Sequence, residues 1–178
     1  WGFPTDSSFT LAETWIGRTP APDSGMEALV LRYLAAFGPA TTGDFQSWSG
    51  LKGAQTVFEA LRPQLATFKD TRKRELFDLP KAPRPAEDTP APPCFVAPFD
   101  NLILGHADRS RIVPPEYRAN LITKNLQIPG TLLVDGFVAG SWKSAVAKNT
   151  ATLTVTPFAP LPKPARKHLT FEAERLVR

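Results

Sequence analysis

Between Gly25 and Leu79 the apolar residues change their period, and that change limits the fold more than any other feature of the chain. Met26, Leu29, Val30, Tyr33, Leu34 and Phe37 fall three and four apart, the spacing that gives a helix one apolar face. Gly38-Pro39 ends that helix, because Gly accepts a left-handed cap and Pro cannot continue the ladder. Thr42 is placed to cap a short second helix that turns Phe45 and Trp48 inward. Ser49-Gly50 supplies the turn after it. Ala54, Val57, Phe58, Leu61 and Leu65 restore the helical period in a third helix, whose other face (Gln55, Thr56, Glu59, Arg62) is polar. Two strand-like runs, Leu65 to Lys69 and Glu75 to Leu79, then flank the charged tip Asp70-Thr71-Arg72-Lys73-Arg74.

Three helices followed by a hairpin is the order of a winged helix-turn-helix, a fold used most often to grip duplex DNA. It nominates particular side chains. Lys52 precedes the third helix, where helix N-termini attract phosphate. Gln55, Thr56 and Arg62 on the exposed helix face can reach base edges or phosphates in the major groove. Lys69, Arg72, Lys73 and Arg74 crowd the wing, where long cations can follow a phosphate backbone or enter a minor groove. A competing reading is a solvated helix face and a charged tip that guards edge strands against pairing with other chains. Glu59, Asp70 and Glu75 dilute the positive charge at both places.

The expected organisation is a winged-helix domain at 25–80, a Pro-rich linker at 81–93 and a β-rich α+β domain at 94–178. The linker follows from PKAPRPAEDTPAPP, in which the prolines favour an extended, stiff chain. Residues 1–24 carry Trp1, Phe3, Phe9 and Trp15 and read as a connector that packs on the core. In the second domain, Phe95-Val96-Ala97 is a short strand and Pro114-Pro115-Glu116 opens a short helix that Pro129-Gly130 stops. Thr131 to Val134, Asp135-Gly136 and Phe137 to Trp142 form a hairpin, since Asp-Gly readily takes the positive φ angles of a two-residue turn. Gly140 inside the second strand marks a bulge or a close backbone contact. Ala151 to Phe158 supplies a third strand of an antiparallel meander. A last helix starts near Pro164 and docks through Leu169, Ala173, Leu176 and Val177, with Trp142 able to pack on it. The fold class expected is therefore α+β.

The net charge of +4 is uneven: Lys143, Lys148, Lys163, Arg166, Lys167, Arg175 and Arg178 gather at the C-terminal end against Glu172 and Glu174. A polyanion would favour that end and the wing. No apolar run approaches the ~20 residues of a membrane span, and the opening residues do not read as a signal peptide. The lone Cys94 excludes an intrachain disulfide framework and suits a reducing compartment, so a cytoplasmic location is expected. No Gly-rich phosphate loop or metal-ligand cluster is present, and no cofactor is expected. His106, Asp108 and Ser110 lie in one local loop, GHADRSRI, and read as a turn tied by Asp108 with Arg109 or Arg111 rather than as a triad. His168 stands alone.

RYLAAFGPAT followed by DFQSWSGL, then PFDNLILGHADRSRI, GTLLVDGFVAGSWK and LTVTPF with a basic C-terminal helix, resembles the winged-helix family related to the bacterial DNA glycosylases AlkZ and YcaQ, which unhook interstrand crosslinks. Arg32-Tyr33-Leu34, Gly38-Pro39, Phe99-Asp100, Asp135-Gly136, Gly140 and Trp142 carry the resemblance, which runs from about Trp15 onward. It implies tandem winged helices with a small β-rich domain. It also implies that catalysis belongs to a Gln-apolar-Gln or Gln-apolar-Asp motif in a region upstream of the part seen here. Gln46, Gln55, Gln64 and Gln127 are not followed two residues later by Gln or Asp, so no catalytic residue is carried over. The chain is expected to be the later part of a longer protein.

The expected function is duplex DNA binding through the winged helix, resting mainly on phosphate contacts. Three rivals stand beside it. In the first, the full protein is a DNA glycosylase whose upstream motif cuts the glycosidic bond while this portion holds the duplex. A transcription regulator would form a dimer on a palindromic site. A scaffold would use the winged helix on protein. The sequence leaves the oligomeric state open.

Overall fold

The computed structural model describes residues 8–19, 25–121, 127–148 and 150–176. Residues 1–7, with Trp1 and Phe3, the stretch 122–126 and Val177 lie outside the described residues, and so do the expectations that fall on them. α1 (Ala12–Ile16) buries none of its residues, and Phe9 and Trp15 are 93% and 81% exposed. The packing expected of this connector on the core therefore does not occur over residues 8–19. Leu11 and Ile16 are exposed as well, so the apolar side chains of this single turn stay uncovered.

α2 (Gly25–Phe37) buries Val30, Tyr33 and Leu34, the face that the three-and-four spacing defines. α3 (Thr42–Ser49) is capped by Thr41, one residue earlier than expected. The reason is Asp44, which stands three residues after Thr41. The Thr41 hydroxyl accepts from the Asp44 amide at 3.0 Å, and the Asp44 carboxylate accepts from the Thr41 amide at 2.9 Å. Such a reciprocal box satisfies two of the free donors at a helix start. α4 (Ala54–Leu61) buries Ala54, Phe58 and Leu61 and continues into a 3-10 turn at Arg62–Gln64. β1 (Ala66–Lys69) and β2 (Glu75–Asp78) pair antiparallel, with Lys69 opposite Glu75. Ala40 adds a bridge to Phe77, exchanging hydrogen bonds of 2.9 and 2.8 Å. Phe58 stands edge-on between Phe45 and Phe77, with centroids 5.8 and 5.1 Å away. Trp48 is only partly buried; its ring touches Tyr33, Phe37 and Phe45, while its Nε1 reaches Asn101 Oδ1 at 3.3 Å.

Residues 80–93 form turns and extended chain without helix or strand. Arg84 folds back on the hairpin, pairing with the buried Asp78 at 3.2 Å and lying over the Phe68 ring. The second sheet has four strands in the order β3 (Cys94–Val96), β4 (Gly130–Val134), β5 (Phe137–Ala147) and β6 (Thr150–Pro157). Asp135 and Gly136 have φ of 52° and 77°, as a two-residue turn with the twist of the strands requires. The register slips opposite Leu132 and Leu133, leaving Ala139 as the extra residue of a bulge beside Gly140. A Cβ on Gly140 would stand 2.6 Å from the Thr156 carbonyl, so the close approach of β6 beside the bulge needs glycine. β5 runs well past Trp142. That ring lies over Gly130 and edge-on to Phe95, and its Nε1 donates to the Val96 carbonyl at 2.9 Å, so it closes the sheet rather than meeting the last helix.

Between β3 and β4 the chain makes α5 (Asn101–Leu104), 3-10 turns at Arg109–Arg111 and Pro115–Tyr117, and α6 (Arg118–Leu121). Ile103, Val113, Leu121, Ile128, Leu133 and Val138 form a second apolar core, separate from the first. α7 (Lys163–Leu176) buries Ala165 and Leu169, but Leu176 is 56% exposed and does not dock as expected. Only the first half of the helix is buried, although the apolar spacing continues to Leu176.

Candidate nucleic-acid interface

The polar face of α4 and the hairpin beside it present the residues nominated by sequence. Gln55 and Thr56 are exposed. Gln55 donates to Glu59 at 3.0 Å. Arg62 is bound to two carboxylates: it forks onto Glu75 with two hydrogen bonds of 2.8 Å and donates to Glu59 at 2.7 and 3.0 Å. These carboxylates, Glu75 first and then Glu59, push the guanidinium further up from its already high value. Arg62 is thus a clasp between α4 and β2, and its charge is matched from within the chain. Lys52, Lys69 and Lys73 are exposed, and none has an ion pair among the described residues; Lys69 still lowers the Glu75 carboxyl from across the strand pair.

The tip is organised by Asp70. Its Oδ1 accepts from the amides of Arg72 and Arg74, both at 2.8 Å, and its Oδ2 pairs with the Arg74 side chain at 2.6 Å. Lys73 takes a left-handed φ of 63° at the turn. Arg72 and Arg74 then cross to the second unit, reaching Asp108 at 2.9 and 2.8 Å. Asp108 also caps its own 3-10 turn, accepting from the Ser110 hydroxyl at 2.6 Å and its amide at 3.1 Å. These contacts, Ser110 foremost and then the two arginines, hold the Asp108 carboxyl down at about 2. Asp108 does tie the GHADRSRI loop, though its arginine partners come from the hairpin rather than from Arg109 or Arg111.

The seam extends beneath the tip. Ala107 donates its amide to Asp44 Oδ1 at 2.9 Å, and Arg111 donates to the Pro39 carbonyl at 2.7 Å. Burial raises the Asp44 carboxyl, but hydrogen bonds from Thr41 and Ala107 outweigh it and leave the group below its ordinary value. His106 Nε2 lies 3.0 Å from the Phe37 carbonyl and 2.8 Å from Arg111. Burial first and Arg111 second depress its pKa, so the imidazole is held neutral. With one nitrogen committed to this junction and no serine nucleophile beside it, His106 is a structural group. Cys94 is raised by desolvation, away from thiolate chemistry. Among the described residues no group of His, Cys, Asp and Glu could hold a metal, and no helix is long and apolar enough to cross a membrane.

The sequence nominated eight binding residues, of which the structure leaves Lys52, Thr56, Lys69 and Lys73 outside the hydrogen-bonded network. It draws Gln55, Arg62, Arg72 and Arg74 into that network. Asp44, His106 and Asp108 are the junction residues beyond those that the sequence nominates. Asp44 has a local signal in the Thr41-to-Asp44 spacing; Asp108 and His106 have local partners in Ser110 and Arg111, but the partners that make the junction, Arg72 and Arg74 for Asp108 and Phe37 for His106, lie more than thirty positions away.

A helical unit with a hairpin, joined through the 105–111 loop to a unit of four-stranded antiparallel sheet and a terminal helix, is the class of α+β protein defined here. The solved structure of Streptomyces sahachiroi DNA glycosylase AlkZ shares this fold, with a TM-score of 0.68 and 24% identity over 90% of this chain and 44% of that one. The family model for DNA glycosylase AlkZ-like proteins matches residues 1–178, and the chain belongs to that family. A curated relative, the interstrand DNA cross-link repair glycosylase of Streptomyces sahachiroi, is 28% identical over 173 residues, which make up 91% of this chain and 44% of the relative. The chain thus spans less than half the length of the relative it matches.

Proposed function

We propose that this chain is the duplex-DNA-holding portion of an AlkZ-like protein, with α2 to α4 and the β1–β2 hairpin acting as a winged helix. The observation that carries the reading is the exposed polar face of α4 beside a hairpin whose Lys69 and Lys73 have no ion pair among the described residues, in a member of a DNA glycosylase family. An α-helix fits the major groove, and lysines near a hairpin can neutralise phosphates on either side of it. Because Arg62, Arg72 and Arg74 are matched internally, the contacts are fewer than the cation count suggests. Lys52, Lys69 and Lys73 are the phosphate contacts of this reading, and Gln55 and Thr56 are the groups within reach of bases. Binding is then weakly specific and strongly dependent on salt. Its setting is the cytoplasm, where bacterial DNA resides.

The description of the curated relative favours a second, wider reading. The complete protein is a glycosylase acting on alkylated or crosslinked DNA, in which this part holds the duplex and another part cleaves the glycosidic bond. Fluorescence anisotropy with a labelled duplex across a salt series tests the first reading. Affinity that falls linearly on a log–log plot supports it, and no binding at low salt sinks it. Release of free base from an alkylated duplex by the complete gene product tests the second.

A further inference from the structure

Beside the seam lies a cleft of about 370 Å³, walled by Arg72, Asp108, Arg109, Ser110, Val113 and Arg118. Its charges do not balance. Three guanidinium groups meet one carboxylate, and that carboxylate is already occupied: Asp108 accepts from the Ser110 amide and hydroxyl and from both Arg72 and Arg74. Arg109 and Arg118 have no ion pair among the described residues. Arg109 Nε is sealed from solvent and has no hydrogen-bond partner. A buried donor on a charged group left without an acceptor is costly, and such exceptions call for an explanation. The planar fork of an arginine matches the oxygens of a phosphate in geometry as well as charge.

We propose that this cleft seats a backbone phosphate of the bound nucleic acid, gripped by Arg109 and Arg118, while Arg72 on Asp108 closes the hairpin side. The proposal rests on the DNA-binding reading and adds to it a contact outside α4 and the lysines. It also gives the seam a second role. Asp108 absorbs the two hairpin arginines, and Arg109 and Arg118 are left without a carboxylate among the described residues.

The test is the salt dependence of duplex binding by the parent, Arg109→Gln/Arg118→Gln, and Arg118→Lys. Loss of this one phosphate contact should lower the slope of log affinity against log salt by about 0.9 units. Between about 50 and 200 mM salt the parent should then lose roughly 3.5-fold more affinity than the double variant. Arg118→Lys keeps the charge and should keep the slope. If the double variant unfolds, as read by circular dichroism, Arg118→Gln alone carries the test through a drop of up to about 0.9 units. An unchanged slope in a folded variant overturns the cleft while leaving the wider DNA reading intact. Failure of the parent itself to bind duplex removes both. Inorganic phosphate titrated at constant ionic strength forms the last arm. If it binds the parent, and Arg118→Gln abolishes that binding without touching DNA affinity, the cleft is a free-anion site and the proposal is wrong.

Discussion

The hydroxyl of Tyr33 donates to the carbonyl of Gly105 at 2.6 Å, joining the buried face of α2 to the end of α5 across seventy-two positions. Burial, with Asp44 adding to it, pushes the phenol well above its usual range, so this donor keeps its proton under all ordinary conditions. Tyr33→Phe removes the donor and leaves a buried carbonyl unpaired. The expected loss is about 1–3 kcal/mol in urea unfolding. A loss under about 0.5 kcal/mol would show that another donor takes over the carbonyl.

Phe58 is 0% exposed and stacks edge-on against Phe45 and Phe77. Phe58→Ala should cost roughly 3–5 kcal/mol, the range for truncating a buried Phe. Denaturant unfolding measures it. A value below about 1 kcal/mol would mean that α4 packs by a different face.

Acid should weaken the seam in two separate windows. The folded state depresses His106 below its ordinary 6.5, so the unfolded chain takes up the proton first and stability falls as pH drops below about 6.5. Asp108 is held at about 2 against an ordinary 3.8. Its contribution is therefore complete above about 4 and disappears as pH falls towards 2. The urea midpoint should decline from about pH 7 to about pH 5.5 in the parent, and the decline should shrink in His106→Gln. Equal declines in the two proteins would show that His106 is not the titrating group.

Lys73 and Arg74 should separate binding from folding. Lys73 has no ion pair among the described residues, so Lys73→Ala should flatten the salt slope of duplex binding by about 0.9 units and leave stability unchanged. Arg74 joins Asp70 to Asp108, so Arg74→Ala should lower the unfolding midpoint and change the slope less. Replacing Arg72, Lys73 and Arg74 together should fall short of the change of about 2.7 units that three independent phosphate contacts would give. A slope change of that full size would mean that the arginines leave Asp108 when DNA arrives.

Much of this architecture was legible in the sequence because its causes are local. The three-and-four spacing from Met26 to Phe37 and the Asp135-Gly136 turn each act within a few residues, and both appear as expected. The expected cap, Thr42, stands one position late because the reading rested on Thr42 alone, whereas the Thr41-to-Asp44 spacing closes a capping box. The site was less legible. Arg62, Arg72 and Arg74 look alike as free cations in a sequence, and only folding brings Glu75 and Asp108 to them. α7 failed differently. Leu176 keeps the helical period, but the sheet gives it no surface to cover.

Beneath the Asp108 ion pairs, four contacts across the seam share one trait. Tyr33 meets the Gly105 carbonyl, His106 faces the Phe37 carbonyl, Arg111 meets the Pro39 carbonyl, and Asp44 takes the Ala107 amide. Each joins a side chain to a backbone atom. A backbone partner is supplied by almost any residue that keeps the local path of the chain. Every such contact therefore fixes the identity of one position where a pair of side chains would fix two. A joint of this kind tolerates extensive change in the residues that surround it while the two halves keep their mutual orientation.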